Sequence, residues 1–519
     1  MWRELAWAWA HKLAADGVDL HSSAALPAWA VESLASCERD PRPALFDGVT
    51  LSRSQSGDAL WDACQDSLRI QGELHNNLRM TWGKAFLEWT PDAERARELL
   101  VDLNHRYALD GRDPASYGGL YWCLGLFDKQ FKPTQPITGA LRTRPTRVHS
   151  KRLDLGAYRS SIGTLPGGRP RRIAVVGAGI AGLAAAGTLH DQGHRVVVFE
   201  KSRGVGGRMS TRRSRSDMGR GLTHDHGAQY FTARDLRFQR HVASWVERGV
   251  AAPWDGRMVT LELGADGSVV EGPDPNPGVR YVGMPGMNSV QKHLAQGLEV
   301  RTGVRVQGLE TRDGRWSLLL NANEVADGFD AVLVCLPAEQ AAVLLEPAGG
   351  LARQAASGRT APCFAAMLTL PEPIEVPFQG AFVRGGPLSW IAEDSTKPGR
   401  GGEQGWVLHG SPEWSEQHLE EDPQSLLPGM VDAFGGLVRR WAPQLPPTEF
   451  AVAHRWRYAL PENPLEVDHL WDGERMLGAA GDWCGGPRVE GAWRSGVAVA
   501  GALLRQLALL PQASLSAPQ

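Results

Sequence analysis

Four features in fixed order constrain this chain more than its length does. An apolar run, Ile173–Val176, leads into three glycines at Gly177, Gly179 and Gly182. An alanine-rich stretch follows, and then a second β-type run, Arg195–Phe199, ending in Glu200. Each glycine has a physical task in a strand–turn–helix. The first permits the tight turn, the second lets backbone approach a pyrophosphate, and the third lets the helix pack closely on the strand. The helix N-terminus then offers unpaired N–H groups to phosphates. An acid about 20 residues on, here Glu200, is where ribose hydroxyls are gripped. This is the pattern of a bound dinucleotide in an α/β domain.

Later residues point to a flavin rather than a nicotinamide as the resident group. Lys201 and the segment Arg203–Arg208, with Gly207 and Arg208, follow the acid directly. Near the C-terminus a second glycine–acid turn, Gly481-Asp482, precedes Glu490-Gly491-Ala492, which opens the last helix. Asp482 suits the ribityl or phosphate region of FAD, and the helix dipole suits negative charge on a reduced ring.

Around this core the chain is ordinary. At 519 residues it has room for about three domain-sized units. A net charge of -3 gives no global pull toward nucleic acid or membrane. The six cysteines, Cys37, Cys64, Cys123, Cys335, Cys363 and Cys484, show neither CxxC pairs nor Cys/His spacing, so no zinc site or disulfide framework is expected. Their scatter fits a reducing, cytoplasmic setting. The first residues, with Glu4 near the start, lack a clean apolar core and do not read as a signal peptide. The longest apolar stretch, Ala174–Leu189, is explained by strand, turn and helix rather than by a membrane span.

Residues 1–155 carry helical periodicity. Trp82, Phe86 and Trp89 share one helix face, and Thr90-Pro91 reads as the cap and first position of the next helix, through Glu94–Leu103. Gly156–Arg171 reads as a basic, Gly/Pro-rich interdomain linker. Nine basic residues (Arg142, Arg144, Arg147, Lys151, Arg152, Arg159, Arg169, Arg171 and Arg172) face one acid, Asp154, either as a solvated segment or as a phosphate-contact strip. The remainder mixes strands such as Ala331–Cys335 and Trp406–His409 with a few helices, and Pro511–Gln519 reads as a frayed tail.

Residues 171–509 resemble the renalase branch of the FAD-dependent amine-oxidase superfamily. The resemblance rests on Asp225–Phe238, Tyr281–Met287, Val334–Pro337, Leu388–Gly399, Trp406–Ser415 and His454–Ala459. It implies non-covalent FAD, a Rossmann-type domain over 172–509 and an inserted antiparallel-sheet substrate domain, mainly about 255–282 and 350–470. Oxygen is the implied electron acceptor, with H2O2 as product. The implied substrate is an isomeric dihydronicotinamide dinucleotide, with a conventional amine as the alternative. Gln229, Tyr230, Trp390, His409 and Trp456 are the candidates for the substrate face. Each is equally at home as core packing. No acid/base pair stands out.

Residues 60–122 resemble a second family, the C-terminal helical domain of DNA photolyases and cryptochromes, closest to class II. The carriers are Leu60–Ala63, Gly72–Lys84, Leu87–Trp89, Leu103-Asn104, Leu109–Pro114 and Tyr121-Trp122. The resemblance implies that Trp82, Trp61 and Trp89 form an electron-hopping chain. It places Asn104 at flavin N5, pairs Arg79 with Asp110, and sets Trp2 and Trp122 beside a flipped base. It covers only the closing part of that family, so a truncated flavin pocket is expected. A fusion fragment, a helical partner or a split enzyme completed by a second chain is therefore the expected role of this half, with light-dependent DNA repair or photosensing, or a nucleic-acid-binding module using the basic linker, as alternatives.

Overall fold

The computed structural model describes residues 2–162, 170–215 and 221–509, with side chains from Glu4 onward. The expected tail 511–519, residues 163–169 of the expected linker, and the side chain of Trp2 lie outside the described residues. The chain forms two compact units, Met1–Pro166 and Gly167–Gln519.

The first unit is helical. Helices Ala59–Gln71, Asn76–Trp89, Ala93–Tyr107 and Pro114–Cys123 pack around Trp61, Trp82, Phe86, Leu100 and Tyr121, all wholly buried. Two sequence expectations change here. The helix after Trp89 starts at Ala93 and is capped by Asp92, which accepts from Arg95 N at 2.7 Å. Thr90 instead closes the preceding helix, its hydroxyl donating to Phe86 O at 2.8 Å. A carboxylate one residue ahead of the helix outcompetes the threonine as acceptor. The linker also begins later than its glycine and serines suggest. Leu155–Ser161 is a helix capped by Asp154, and Gln71 and Arg159 tie it to the unit through Ser161 O and Ala59 O. The basic run is likewise divided. Arg144 donates to Asn77, Arg169 lies outside the described residues, and Arg171 and Arg172 belong to the second unit.

The second unit is built on two sheets. The first runs, in spatial order, Leu470–Asp472, Leu477–Ala479, Ala331–Val334, Arg172–Val176, Arg195–Glu200, Glu299–Thr302, and is parallel except at the first pair. Strands buried on both faces read as continuous apolar runs, as Ile173–Val176 and Ala331–Val334 do. The other sheet runs Phe450–Pro461, Thr360–Leu370, Gln404–Gly410, Leu388–Glu393, Gly380–Arg384, Met258–Leu263, Val269–Gly272. It is antiparallel except for the parallel pair Gly380–Arg384 with Met258–Leu263. Helix Pro423–Val438 covers one face of this sheet through Leu426, Met430, Phe434 and Leu437. Residues of the other face reach a cavity.

Candidate active site

The glycine turn is set by backbone contacts that leave no room for a side chain. Gly177 sits at φ +106°, and a Cβ there would lie 2.5 Å from Cys335 O. A Cβ on Gly182 would lie 1.9 Å from Gly177 O. Gly179 differs: a Cβ on it would meet nothing within 4 Å, because this residue lines the cavity. It also precedes helix Ile180–Asp191 with no side-chain cap, so the first helical N–H groups stay open to a ligand.

The cavity encloses about 1490 Å³, more than the ~300–1,000 Å³ of a typical single-ligand site. Of the residues expected at the cofactor, Gly177, Gly179, Glu200, Lys201, Gly207, Arg208, Gly481, Asp482 and Ala492 line it. Glu200 is buried, and each of its oxygens accepts one backbone bond, from Ala178 N at 2.9 Å and Ser202 N at 2.8 Å. A carboxylate has about four lone-pair positions, so two remain for hydroxyl donors. Arg208 bridges Asp482 Oδ1 at 2.6 Å and Ala459 O at 3.0 Å, joining the early motif to the late glycine turn.

Gly182 lies beneath the turn rather than in the wall, and two other expectations are corrected. The Glu490 carboxylate turns away and accepts from Arg234 N and Asp235 N at 2.9 and 2.7 Å. Gly491 packs on the backbone of Gly485 and Gly486. The last helix therefore meets the cavity through Ala492, and Glu490 ties its start to the loop before Leu236–Glu247.

All five substrate-face candidates, Gln229, Tyr230, Trp390, His409 and Trp456, line the same cavity. Gln229 is fully committed inside the protein. Its amide nitrogen donates to Asp225 O and to Gly227 O, and its oxygen accepts from Lys397 Nζ at 3.1 Å. Gln229 holds the turn Asp225–Tyr230 in shape and has little left for a substrate.

Behind that turn lies a charge cluster given no role by sequence reasoning. Lys397 is wholly buried, 2.5 Å from Asp394 Oδ1 and 3.7 Å from Asp225 Oδ2, and Arg400 pairs with Asp225. Two cations and two anions balance. Lys397 and Arg400 outweigh burial and hold the Asp225 carboxyl below its usual range. The sequence signal was the Asp394/Lys397 spacing, which reads as a surface helix pair until Asp225 is brought to it.

Sequence reading also missed two imidazoles, His226 and His454. His226 stacks on Trp456 at 5.0 Å, and His454 meets both rings at 4.9 and 4.6 Å. Burial pushes the His226 imidazole down to about 3, helped by His454 and Arg212, and His409 down to about 4, helped by Lys397. His454 is shifted the same way, by burial and Arg212. These three rings are uncharged at neutral pH.

In the first unit the expected residues fall into two groups. Trp61 stacks on Trp82 with centroids 6.0 Å apart and meets Trp89 edge-on at 5.4 Å. Arg79 pairs with both oxygens of Asp110 at 3.0 and 3.1 Å and donates to Ser116 Oγ, to which the amide of buried Asn104 also donates. Trp122 packs edge-on to Phe127.

Residues 175–248 match the NAD(P)-binding Rossmann-like domain family, and residues 271–504 match the family of flavin containing amine oxidoreductases. A solved structure of a proposed protoporphyrinogen oxidase from Exiguobacterium superposes with a TM-score of 0.51 at 13% identity, over 65% of this chain and 99% of that one. At that identity the likeness concerns the fold alone. A 39-residue stretch is 59% identical to a 4,4'-diapophytoene desaturase of Staphylococcus aureus, 8% of either chain. The N-terminal part is similar to deoxyribodipyrimidine photo-lyases. Identity is 35% over 141 residues with that of Methanothermobacter thermautotrophicus and 33% over 145 with that of Oryza sativa. Those matches take in 27% and 28% of this chain and 32% and 28% of the relatives, so the chain spans about a third of their length. Among the described residues no helix is long and apolar enough to cross a membrane, and no group of histidines, cysteines and acids is placed to hold a metal. Fold, glycine cradle and family match together make the second unit an FAD-dependent oxidoreductase.

Proposed function

We propose that the second unit is a renalase-like oxidase. It takes hydride from an isomeric dihydronicotinamide dinucleotide and yields the ordinary nicotinamide dinucleotide. FAD, when bound, supplies the hydride acceptor and passes the electrons to O2, giving H2O2. The open helix N-terminus after Gly179 and the spare lone pairs of Glu200 fit its phosphates and a ribose. Lys201, Gly207, the Arg208–Asp482 pair, Gly481 and Ala492 complete the cradle, held non-covalently.

The character of the remaining wall carries the substrate reading. Tyr230, Trp390, His409, His454 and Trp456 are aromatic, and the three imidazoles there are neutral. Each carboxylate lining the cavity already accepts from protein donors: Glu200 from Ala178 and Ser202, Glu339 from Thr360, Asp482 from Arg208. An amine arrives as an ammonium ion and must shed a proton before it gives hydride. A dihydropyridine is neutral, becomes aromatic on oxidation and needs no base. The wall suits the second donor.

The test is anaerobic mixing of the flavoprotein with isomeric dihydronicotinamide dinucleotides. Rapid bleaching reversed by air, with peroxide formed, is expected. Persistence of the oxidised flavin spectrum would reject the substrate. The family match favours one competing reading, a conventional amine oxidase, marked by ammonia and peroxide from primary amines.

The first unit adds a second activity reading. Three indoles in contact, Trp82, Trp61 and Trp89, form a path for electron hopping of the photolyase type. Blue-light photoreduction of flavin that disappears in Trp82→Phe, with the dark oxidase rate unchanged, is the observation that would establish it.

A further inference from the structure

Strand register sets a row of directly opposed residues across the larger sheet of the second unit: Phe382, Trp390, His409, Ala365 and His454. Opposed residues on antiparallel strands share a face, with Cβ atoms about 4.5–5.5 Å apart. Trp390 and His409 are therefore immediate neighbours, and both line the cavity. A β-bulge at Ser389 accompanies them, the three residues Leu388–Trp390 of one strand facing His409 and Gly410 of the other. Bulges of this kind re-aim side chains beside active sites.

Two ring nitrogens in this pair are buried without a partner, Trp390 Nε1 and His409 Nε2. Their chemistry is opposite. Indole Nε1–H can only donate. A neutral imidazole carries one proton and one lone pair, and the polar influence of the His226 backbone favours the proton on the nitrogen other than the unpartnered Nε2, which leaves Nε2 the acceptor. A buried polar atom without a partner costs more than a typical hydrogen bond returns. Here one donor and one acceptor stand unpaired side by side.

We infer that Trp390 and His409 read a carboxamide on the substrate, Trp390 Nε1–H donating to the amide oxygen and His409 Nε2 accepting from the amide N–H. This inference rests on the nicotinamide reading above and adds to it the atoms that recognise the ring substituent. His409 stays neutral because burial and Lys397 oppose its protonation, so Nε2 keeps its acceptor role at neutral pH. A carboxylate in place of the amide brings no donor to Nε2, and an acetyl group brings none either. Phe382 and Tyr230 flank the Trp390 ring at 4.8 and 5.7 Å and fix its orientation.

The experiment uses the full-length flavoprotein. The oxidised nicotinamide dinucleotide, its 3-acetylpyridine analogue and its nicotinic-acid analogue are titrated while the flavin absorbance is followed. The carboxamide form is expected to bind about tenfold more tightly than either analogue. His409→Phe keeps a ring and removes the acceptor, and should bring the carboxamide and acetyl forms within about twofold of each other. Trp390→Phe removes only the donor. It should weaken the carboxamide and acetyl forms alike and leave their ratio intact, which guards against a fold defect in either variant. An unchanged tenfold preference in His409→Phe that still binds overturns the inference. If no dinucleotide perturbs the flavin of the unmodified protein, the nicotinamide reading itself fails and the carboxamide contact falls with it.

Discussion

In the first unit the Trp61 ring N–H donates to Trp82 O at 2.9 Å, and that of Trp82 to Gln65 Oε1 at 3.1 Å. In the second unit the Trp390 ring N–H has no partner, at the wall of a large cavity. All three residues came from family-like motifs, and all three are buried. The difference is whether the polar edge of the ring is satisfied by protein. A satisfied indole is core material that serves function only through its electrons, whereas an unsatisfied one at a cavity wall awaits a ligand.

The largest expected effects separate scaffold from wall within one motif. Gly182→Ala drives a methyl group into Gly177 O, backbone that cannot yield, and should abolish soluble second unit. Gly179→Val points into open cavity and should leave a folded, monodisperse protein that has lost its flavin. Gel filtration with flavin absorbance checks both, and a Gly179→Val protein that keeps full flavin would break the distinction.

Next in size is Lys397→Met, which strands the buried Asp394 and leaves Asp225 to Arg400 alone. Breaking such a buried cluster costs about 3–5 kcal/mol, so the urea midpoint of the second unit should fall while that of the first is unchanged. Equal stability of the variant would show that the cluster is not what holds the Asp225–Tyr230 turn.

A smaller effect is expected from Trp82→Phe. It leaves Gln65 Oε1 without its donor and should destabilise the first unit by about 1–3 kcal/mol. Flavin content and dark oxidase rate should not move, and a loss of either would tie the first unit to the dark chemistry.

A further effect is a pH dependence of the second unit. His226 and His409 are held neutral down to about 3 and 4, whereas an unfolded histidine takes its proton near 6.5. Between those values the unfolded chain binds more protons, so stability falls as pH drops from about 6.5 toward 4 and is flat above. His226→Phe should shallow that slope in denaturant titrations across the same range.

Much of this molecule was legible because local rules carried it. Ile173–Val176, the three glycines and Arg195–Phe199 ended in Glu200 as their spacing requires, since turn sterics and close helix packing admit no side chain at Gly177 or Gly182. Helix periodicity around Trp82, Phe86 and Trp89 is equally local. Local competition was harder to rank: Asp92 took the cap from Thr90, and Asp154 built a helix where glycine and serines read as linker.

What tertiary structure decided are the partners between residues far apart in sequence. Glu490 looked like a cofactor residue by position, yet its carboxylate is consumed by Arg234 and Asp235 N–H groups. Gln229 looked like a substrate contact, yet Lys397, 168 residues away, takes its free end. His226 and His454 lay inside blocks that carry the family resemblance, yet their role could not be read, because an imidazole's role depends on burial and neighbours that only the fold supplies. The sequence determined the cofactor cradle through backbone sterics and periodicity. The substrate wall came from long-range register, which placed Trp390 against His409 and left their nitrogens unpaired.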